Sequence, residues 1–327
     1  MPTSDPPRCP ACGPATFRYR FGKKGRRFYR CCVCGIELQW PLPTQQALSD
    51  YYEESFDSGM YRDFTAADEM KRMTAAQRLK EIRRTLQPAG RCLDVGCANG
   101  VFVETIGQAS EDDRPITAEG VEISQSAVTA GRDRGLALHL GMLADVPEDP
   151  PYDLITAFDV LEHVIDPAEF LKEIHQRLAD GGHVVLTVPD TGGWVRRVMG
   201  RRWYFYIPEE HLHYFDRRNL PRLLRAQGFE PVEVGSTHKP MTYDYALTQF
   251  AEFNPWIYRV MSLGSRMIPG RLRSRPVPLP IGEIRVIARK ISSQDESNAR
   301  VNRRQQPRSN ADVSIANATD ANATMVR

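Results

Sequence analysis

The chain has 327 residues, a formal net charge of +2 and 41% apolar residues, enough to bury a sizeable core in one large domain plus a small one, or in two. The near-neutral balance excludes a molecule that binds polyanions over its whole surface, and no stretch reaches the ~18 apolar residues of a membrane span. The polar, Pro-rich start has no apolar signal core, which points to the cytoplasm.

Five of the seven cysteines lie between Cys9 and Cys34. They read Cys9-Pro10-Ala11-Cys12-Gly13, then Cys31-Cys32-Val33-Cys34-Gly35. This C-x2-C…C-x2-C spacing suits tetrahedral zinc rather than disulfides. Cys32 and Cys34 are too close in sequence to form the second knuckle, so Cys9, Cys12, Cys31 and Cys34 are the expected ligands. Between the pairs, residues 17–21 and 26–30 flank Gly22-Lys23-Lys24-Gly25 as a strand–turn–strand hairpin. Residues 1–40 are therefore expected to form a small four-cysteine zinc ribbon. Its hairpin is basic and aromatic. That suits contact with nucleic acid or another anionic substrate. It equally suits the solvated face of a domain too small to build a core without its metal.

Residues 41–88 link the ribbon to the rest of the chain. Pro41 and Pro43 prevent regular structure at first. An aromatic run follows, Tyr51-Tyr52-Glu53-Glu54-Ser55-Phe56, with Met60-Tyr61 shortly after. Apolar positions at Ala67, Met70, Met73, Leu79, Ile82 and Leu86 then have helical spacing, and Pro88 stops the helix.

From residue 89 strand and helix alternate. Strands are predicted near 91–95, 116–121, 136–140, 153–158, 183–188, 232–234 and 284–288. Ser124 is placed to cap one helix. Asp166-Pro167 starts another, carrying Phe170, Leu171, Ile174 and Leu178, with Gly181-Gly182 ending it. Asp216 starts a third through Leu220, Leu223 and Leu224, ended by Gly228. Short crossovers imply an α/β fold, a doubly wound, mostly parallel seven-stranded sheet with helices on both faces. After the first strand the chain turns through Gly96, Ala98 and Gly100 into a helix. Small residues let the backbone approach a nucleotide, and free N–H groups of the first helical turn point at its polar part. Glu122 closes the next strand, where dinucleotide sites place a ribose-binding carboxylate. This turn, Glu122, Met142 and Asp159 all fall at the carboxyl ends of strands, where such sheets bind ligands.

The order Leu93-Asp94-Val95-Gly96-x-Ala98-x-Gly100, then Val121-Glu122-Ile123-Ser124, then Phe158-Asp159-Val160-Leu161-Glu162-His163-Val164, resembles a class I S-adenosylmethionine-dependent methyltransferase over about residues 90–236. The resemblance implies a Rossmann-like fold with an antiparallel final strand, and S-adenosylmethionine as cofactor. Asp94 would help hold the amino-acid end of that cofactor. Gly96, Ala98 and Gly100 would wrap it, with alanine at 98 where the family often has glycine. Glu122 would take the ribose, Asp159 would complete the set, and Met142-Leu143 would face adenine. Family members often carry an acidic residue there, so Met142 leaves adenine against backbone and an apolar wall. The aromatic run at 51–61 falls where similar enzymes carry a lid, although packing of the linker accounts for it equally. By spacing, Asp159, Glu162 and His163 meet on one face of a turn or helix start. There they can hold a divalent cation, work as an acid–base pair, or brace the loop before Pro167. The stretch resembles the Glu-x-x-Glu-His motif with which ubiquinone-pathway O-methyltransferases bind a metal, with Asp159 one methylene shorter.

Residues 189–215 interrupt the alternation with aromatics, arginines and histidines beside the cofactor pocket, and are the candidate acceptor loop. The expected catalytic base is His211, with His213 and His163 behind it, since a hydroxyl acceptor needs a base titrating near neutrality. The alternative is that His211 fixes the loop by bonding a backbone carbonyl. An insertion over 237–283 holds two apolar segments, 243–253 and 256–267, expected to be helical. Arg266, Arg271, Arg273 and Arg275 accompany it, suiting an anionic membrane surface, a pocket cover or a dimer contact. With that insertion the methyltransferase domain is expected over 89–291, and the apolar-poor tail, 292–327, is expected to be disordered. The expected activity is methyl transfer to a small-molecule acceptor, at O or C of a sugar, a quinone-like compound or a secondary metabolite. Two alternatives stand beside it. One is an RNA-base methyltransferase, since some ribosomal-RNA guanine enzymes also carry an N-terminal zinc ribbon. The other is a non-catalytic cofactor-binding scaffold.

Overall fold

The structure, a computed structural model, describes residues 7–48, 65–244, 247, 255–265, 267–273, 275–279 and 282–292. The aromatic run at 51–61, most of the helix expected over 243–253, Arg266 and the tail from 293 lie outside these residues.

The chain begins with a small hairpin, β1 (Arg8–Cys9) and β2 (Gly13–Pro14), around the first cysteine pair. An antiparallel meander follows: β3 (Phe17–Lys23), β4 (Arg26–Cys31) and β5 (Glu37–Trp40). The β3–β4 turn puts Lys24 at φ 46° and Gly25 at φ 75°, the left-handed pair a two-residue hairpin needs. Helix α1 (Thr65–Ile82) then leads into the alternating part. It stops at Ile82, one turn before the expected Leu86. Beyond it the chain tightens, with Thr85 N and Leu86 N both donating to Ile82 O at 3.0 and 2.8 Å.

The alternation runs β6 (Gly90–Val95), α2 (Val101–Gly107), β7 (Ile116–Glu122), α3 (Gln125–Arg132), β8 (Leu138–Leu140), β9 (Tyr152–Phe158), α4 (Pro167–Arg177), β10 (Leu178–Pro189). After α5 (Trp194–Met199) and β11 (His213–Tyr214) come α6 (Asn219–Ala226), β12 (Phe229–Ser236) and β13 (Lys239–Met241). The chain closes with α7 (Pro255–Ser265), α8 (Gly270–Arg273), β14 (Val277–Leu279) and β15 (Glu283–Lys290). Seven strands make one sheet in the order β12-β15-β10-β9-β6-β7-β8. The five from β10 to β8 are parallel, and β15 is antiparallel to both neighbours, so the sheet is mixed as the resemblance implied. Among the described residues no helix is long and apolar enough to cross a membrane.

Adjacent strand residues point to opposite faces, and this divides the core. Leu93, Ile155, Val184 and Val286 pack on one face, and Cys92, Leu154, Val185 and Ile287 on the other, against Leu79 and Ile82 of α1 and Phe102 and Ile106 of α2. The first face also receives Cys9, Cys31 and Ile36 of the ribbon. The ribbon thus shares a core with the large sheet, and the meander takes a fourth strand from residue 213 onward. β11 pairs with β5, His213 opposite Leu38 and Tyr214 opposite Glu37.

Local capping follows the residues that predicted it. Asp166 accepts from Ala168 N and Glu169 N, and Pro167 opens α4. Ser124 accepts from Ala127 N. Asp216 accepts from Arg218 N and Asn219 N ahead of α6. One stop signal reads differently. Helix α4 ends at Arg177, because Leu178 is already extended and pairs with Tyr152; the register then jumps to His183 opposite Leu154. Gly181 and Gly182 sit in that irregularity, with Gly181 at φ 75°. The insertion also holds an unexpected two-stranded sheet, β13 with β14.

Candidate active site

The turn after β6 is held from behind. Gly96 N and Cys97 N donate to Val121 O at 2.9 and 3.2 Å. Gly96, Ala98 and Gly100 all have positive φ, at 70°, 50° and 79°. Gly96 is needed for space as well, since a Cβ there would lie 2.7 Å from Val160 Cγ2. That contact brings the turn against the loop after β9. Glu122, buried at the end of β7, accepts from Ala98 N at 2.9 Å with one oxygen and from Ser124 N at 3.0 Å with the other. Each carboxylate oxygen keeps a second lone pair for a ligand. Asp94 is buried on β6 beside β9 and accepts from Thr156 Oγ1 at 2.6 Å. Burial pushes its carboxyl up to about 7, against the pull of Thr156 and Arg78. Met142 N donates to Asp145 Oδ2 at 2.8 Å, so Asp145 braces its own turn, with Leu143 buried beside it.

The loop after β9 does not bring Asp159, Glu162 and His163 together as their spacing suggested. Asp159 takes φ 60° and bonds residues of other elements. It accepts from Thr187 Oγ1 at 2.8 Å, from Arg78 of α1 at 2.8 Å and from Lys239 of β13 at 3.0 Å. Burial opposes its charge, but Lys239 and Arg78 outweigh burial and hold Asp159 below the usual carboxylate range. Lys239 also donates to Glu283 at 2.6 Å, and Arg78 stacks over Phe158 with its guanidinium carbon 4.2 Å from the ring centre. Burial and the nearby Asp159 push Glu283 up to about 7.

His211, rather than Asp159, joins Glu162 and His163. The ligand atoms of Glu162, His163 and His211 lie within 4.8 Å of one another. The two imidazoles meet edge to face, centroids 4.7 Å apart. His211 Nδ1 and Phe205 O are 2.8 Å apart; the Nδ1–H that this bond requires leaves Nε2 with its lone pair. Burial, then the neighbouring His163, holds His211 well below its ordinary value. Burial likewise pulls His163 and His213 down to about 4. Glu162 is forced the other way, by burial and then by Asp159, and its Oε2 is buried without a partner. At neutral pH the pocket therefore presents uncharged imidazoles. His213 stands apart, facing Phe215 and hydrogen-bonded to Val164 through its backbone carbonyl.

The four predicted ligand thiols converge. Cys9, Cys12, Cys31 and Cys34 hold their sulfurs within 4.8 Å of each other, and Cys9 Sγ and Cys34 Sγ are 3.3 Å apart. No cysteine forms a disulfide, and Cys32 is exposed. Burial and the neighbouring Cys34 raise Cys12 to about 11, and a hydrogen bond with Cys9, then burial, raises Cys34. Thiols crowded like this resist ionisation until a cation joins them, so the donor set fits a thiophilic dication.

A family model described as a methyltransferase domain matches residues 67–234, just over half of the chain. The chain belongs to this methyltransferase family. The methyltransferase is 26% identical over 193 residues to the ubiquinone biosynthesis O-methyltransferase of Ralstonia nicotianae, covering 54% of this chain and 79% of that one. It is 25% identical over 179 residues to the enzyme of the same name from Pseudomonas aeruginosa, covering 50% and 75%. A solved structure of the Haloferax volcanii Trm112 methyltransferase activator with a putative methyltransferase aligns at TM-score 0.50 and 17% identity, covering 77% of this chain and 100% of that one. At that identity it speaks for the fold alone. The enzyme is thus an S-adenosylmethionine-dependent methyltransferase with a seven-stranded mixed sheet.

Three residues of the methyltransferase's pocket gave no signal in the sequence. Arg78 sits in a helix whose apolar pattern carries no mark of a site. Lys239 and Glu283 border the insertion, 44 positions apart. They meet because Pro189 pairs with Glu283 at the carboxyl edge of the sheet and β13 folds over it.

Proposed function

We propose that this methyltransferase methylates a hydroxyl of a small molecule, with His211 as the base. The carrying observation is the edge-to-face pair of buried His211 and half-buried His163 beside Glu162, next to the cofactor turn through Val160. Two relatives named as O-methyltransferases support oxygen as the acceptor atom. The bound cofactor supplies an electrophilic methyl on a sulfonium. The residues supply alignment and a proton sink. Main-chain groups at Gly96, Ala98 and Gly100 approach the cofactor, Glu122 takes its ribose hydroxyls, and Asp94 faces its amino-acid end. Met142 and Leu143 wall the adenine. Asp159, spent on Arg78, Lys239 and Thr187, fixes the loop rather than offering a free carboxylate. The cofactor, when bound, would give its methyl carbon to the acceptor oxygen and keep the C–S electron pair as a neutral thioether, while His211 Nε2 would take the acceptor's proton. His163 is the neighbour of the base, and His213, held against Phe215, stands outside the pair.

Cys9, Cys12, Cys31 and Cys34 would hold a structural zinc ion. A second reading of the ribbon, as an RNA contact, loses four of its eight basic residues to internal pairs. Arg20 and Arg30 face Glu37, Lys23 donates to Tyr206 O and Lys24 to Glu209. A scaffold without turnover would not need a neutral base beside the cofactor turn.

The test uses calorimetric titration with S-adenosylhomocysteine, followed by methyl transfer from isotopically labelled cofactor into cell extract, with and without RNase. Saturable binding is expected, weakened at least about tenfold, some 1.4 kcal/mol, by Glu122→Ala, with label appearing in RNase-resistant small molecules. Label lost to RNase would replace this reading with the RNA one, and cofactor binding without label transfer would favour the scaffold.

A further inference from the structure

The ribbon reaches the base through a chain of direct contacts. Glu37, 1% exposed, begins β5 next to the second cysteine pair. Tyr206 OH donates to its Oε2 at 2.6 Å, and Arg196 NH2 reaches its Oε1 at 3.0 Å. Arg20 and Arg30 of the ribbon lie 3.6 and 3.5 Å from the same oxygen. Tyr206 also packs edge-on to Phe21 and Phe28, centroids 4.9 and 5.5 Å away, and Trp203 packs on Tyr206 at 5.2 Å. Two positions further along the strand, Gln39 N donates to Leu212 O at 3.0 Å. Leu212 N and His213 N both donate to Glu162 O, at 2.8 and 3.1 Å. Residues 203–214 are thus fastened on one side to ribbon side chains and on the other to the backbone of Glu162. His211 hangs between these fastenings. None of the contacts touches the turn at Gly96–Gly100 or Glu122.

Resting on the zinc and base assignments above, we propose that Glu37 is a positioning residue: the metal-filled ribbon, acting through Glu37, sets His211 against His163 and leaves cofactor affinity unaffected. A buried carboxylate gathering three guanidinium groups and a phenol loses its place when the strand carrying it loosens. The second knuckle, which ends β4 one turn before Glu37, is what the metal would lock. The device makes the base conditional on the ribbon.

The full chain, metal-loaded and metal-stripped, would be treated with diethyl pyrocarbonate and the modification of His211 followed by peptide mass spectrometry. Titration with S-adenosylhomocysteine and iodoacetamide labelling of Cys92, buried at 3% exposure under α1 and α2, run in parallel. His211 is expected to be protected in the loaded protein. It should react at least tenfold faster after metal removal, and likewise in metal-loaded Glu37→Ala, with S-adenosylhomocysteine affinity within twofold and Cys92 still unlabelled. General loosening would expose Cys92 and weaken the nucleoside together, and that result overturns the proposal. So does a His211 that stays protected in both cases. If Glu37→Ala does not fold, Glu37→Gln, which keeps the volume and removes the charge, is read in its place with the same direction expected. An unmutated protein that fails to bind S-adenosylhomocysteine would sink the cofactor reading, while the histidine readout, which needs no ligand, still decides this one.

Discussion

Ala98 shows how one side chain taxes a ligand turn. Its φ of 50° is left-handed, a region that costs an L-residue with a Cβ about 1–2 kcal/mol. Glycine there loses part of that gain to its freer unfolded chain. Ala98→Gly is therefore expected to raise stability by about 0.5–1 kcal/mol, read as a rise in thermal midpoint, while Glu122 still accepts from the backbone N–H. The alanine was visible in the sequence as a departure from glycine, but its conformation was not, because the turn is imposed by Val121 O and Glu122 from the next strand. His213 carries a second residue-scale expectation. Burial lowers it to about 4, from the ordinary 6.5. Between those values the unfolded chain binds a proton that the folded one refuses, so stability is full above 6.5 and is lost as pH falls toward 4. At pH 5 the loss is about 2 kcal/mol. Urea unfolding at pH 7 and pH 5 should show wild type losing about that much more than His213→Gln, whose amide can still donate to Val164 O.

At the scale of elements, much was readable because period and punctuation agreed. The seven strands of the large sheet, the caps at Ser124, Asp166 and Asp216, and the hairpin around Lys24-Gly25 all announce themselves locally. What stayed hidden depended on pairing across long stretches. Leu178 looked helical by spacing, yet β10 claims it through Tyr152. Asp159 was grouped with Glu162 and His163 because they are three and four residues apart. Its left-handed backbone breaks the helical geometry that grouping assumed, and the two cations that capture it, Arg78 and Lys239, lie 81 and 80 positions away. His211 was readable as a candidate base from its residue type, but its partner His163 was ranked only as an alternative to it. Nothing in spacing says that β11 would join the ribbon and draw residue 211 back over the loop after β9. Burial also moved the histidines away from the neutral titration expected of them, each being lowered from its ordinary value.

For the whole molecule, the shared core matters more than the count of domains. Cys9, Cys31 and Ile36 pack with Leu93, Ile155 and Phe215 in one cluster. A ribbon hung on a tether would melt by itself when its metal is withdrawn. Here calorimetry of the chelated protein is expected to show a single transition at a lower temperature than the metal-loaded one. Two resolved peaks would mean that the packing does not couple the parts. The loop-to-ribbon pairing also bears on how such a chain can be altered. His213 and Tyr214 are one edge of a sheet whose other three strands lie before residue 41. Anyone recombining this protein with a relative to change what it methylates would have to carry residues 17–40 and 203–215 across as one inherited unit. A crossover between them would leave a hybrid whose two halves no longer recognise each other.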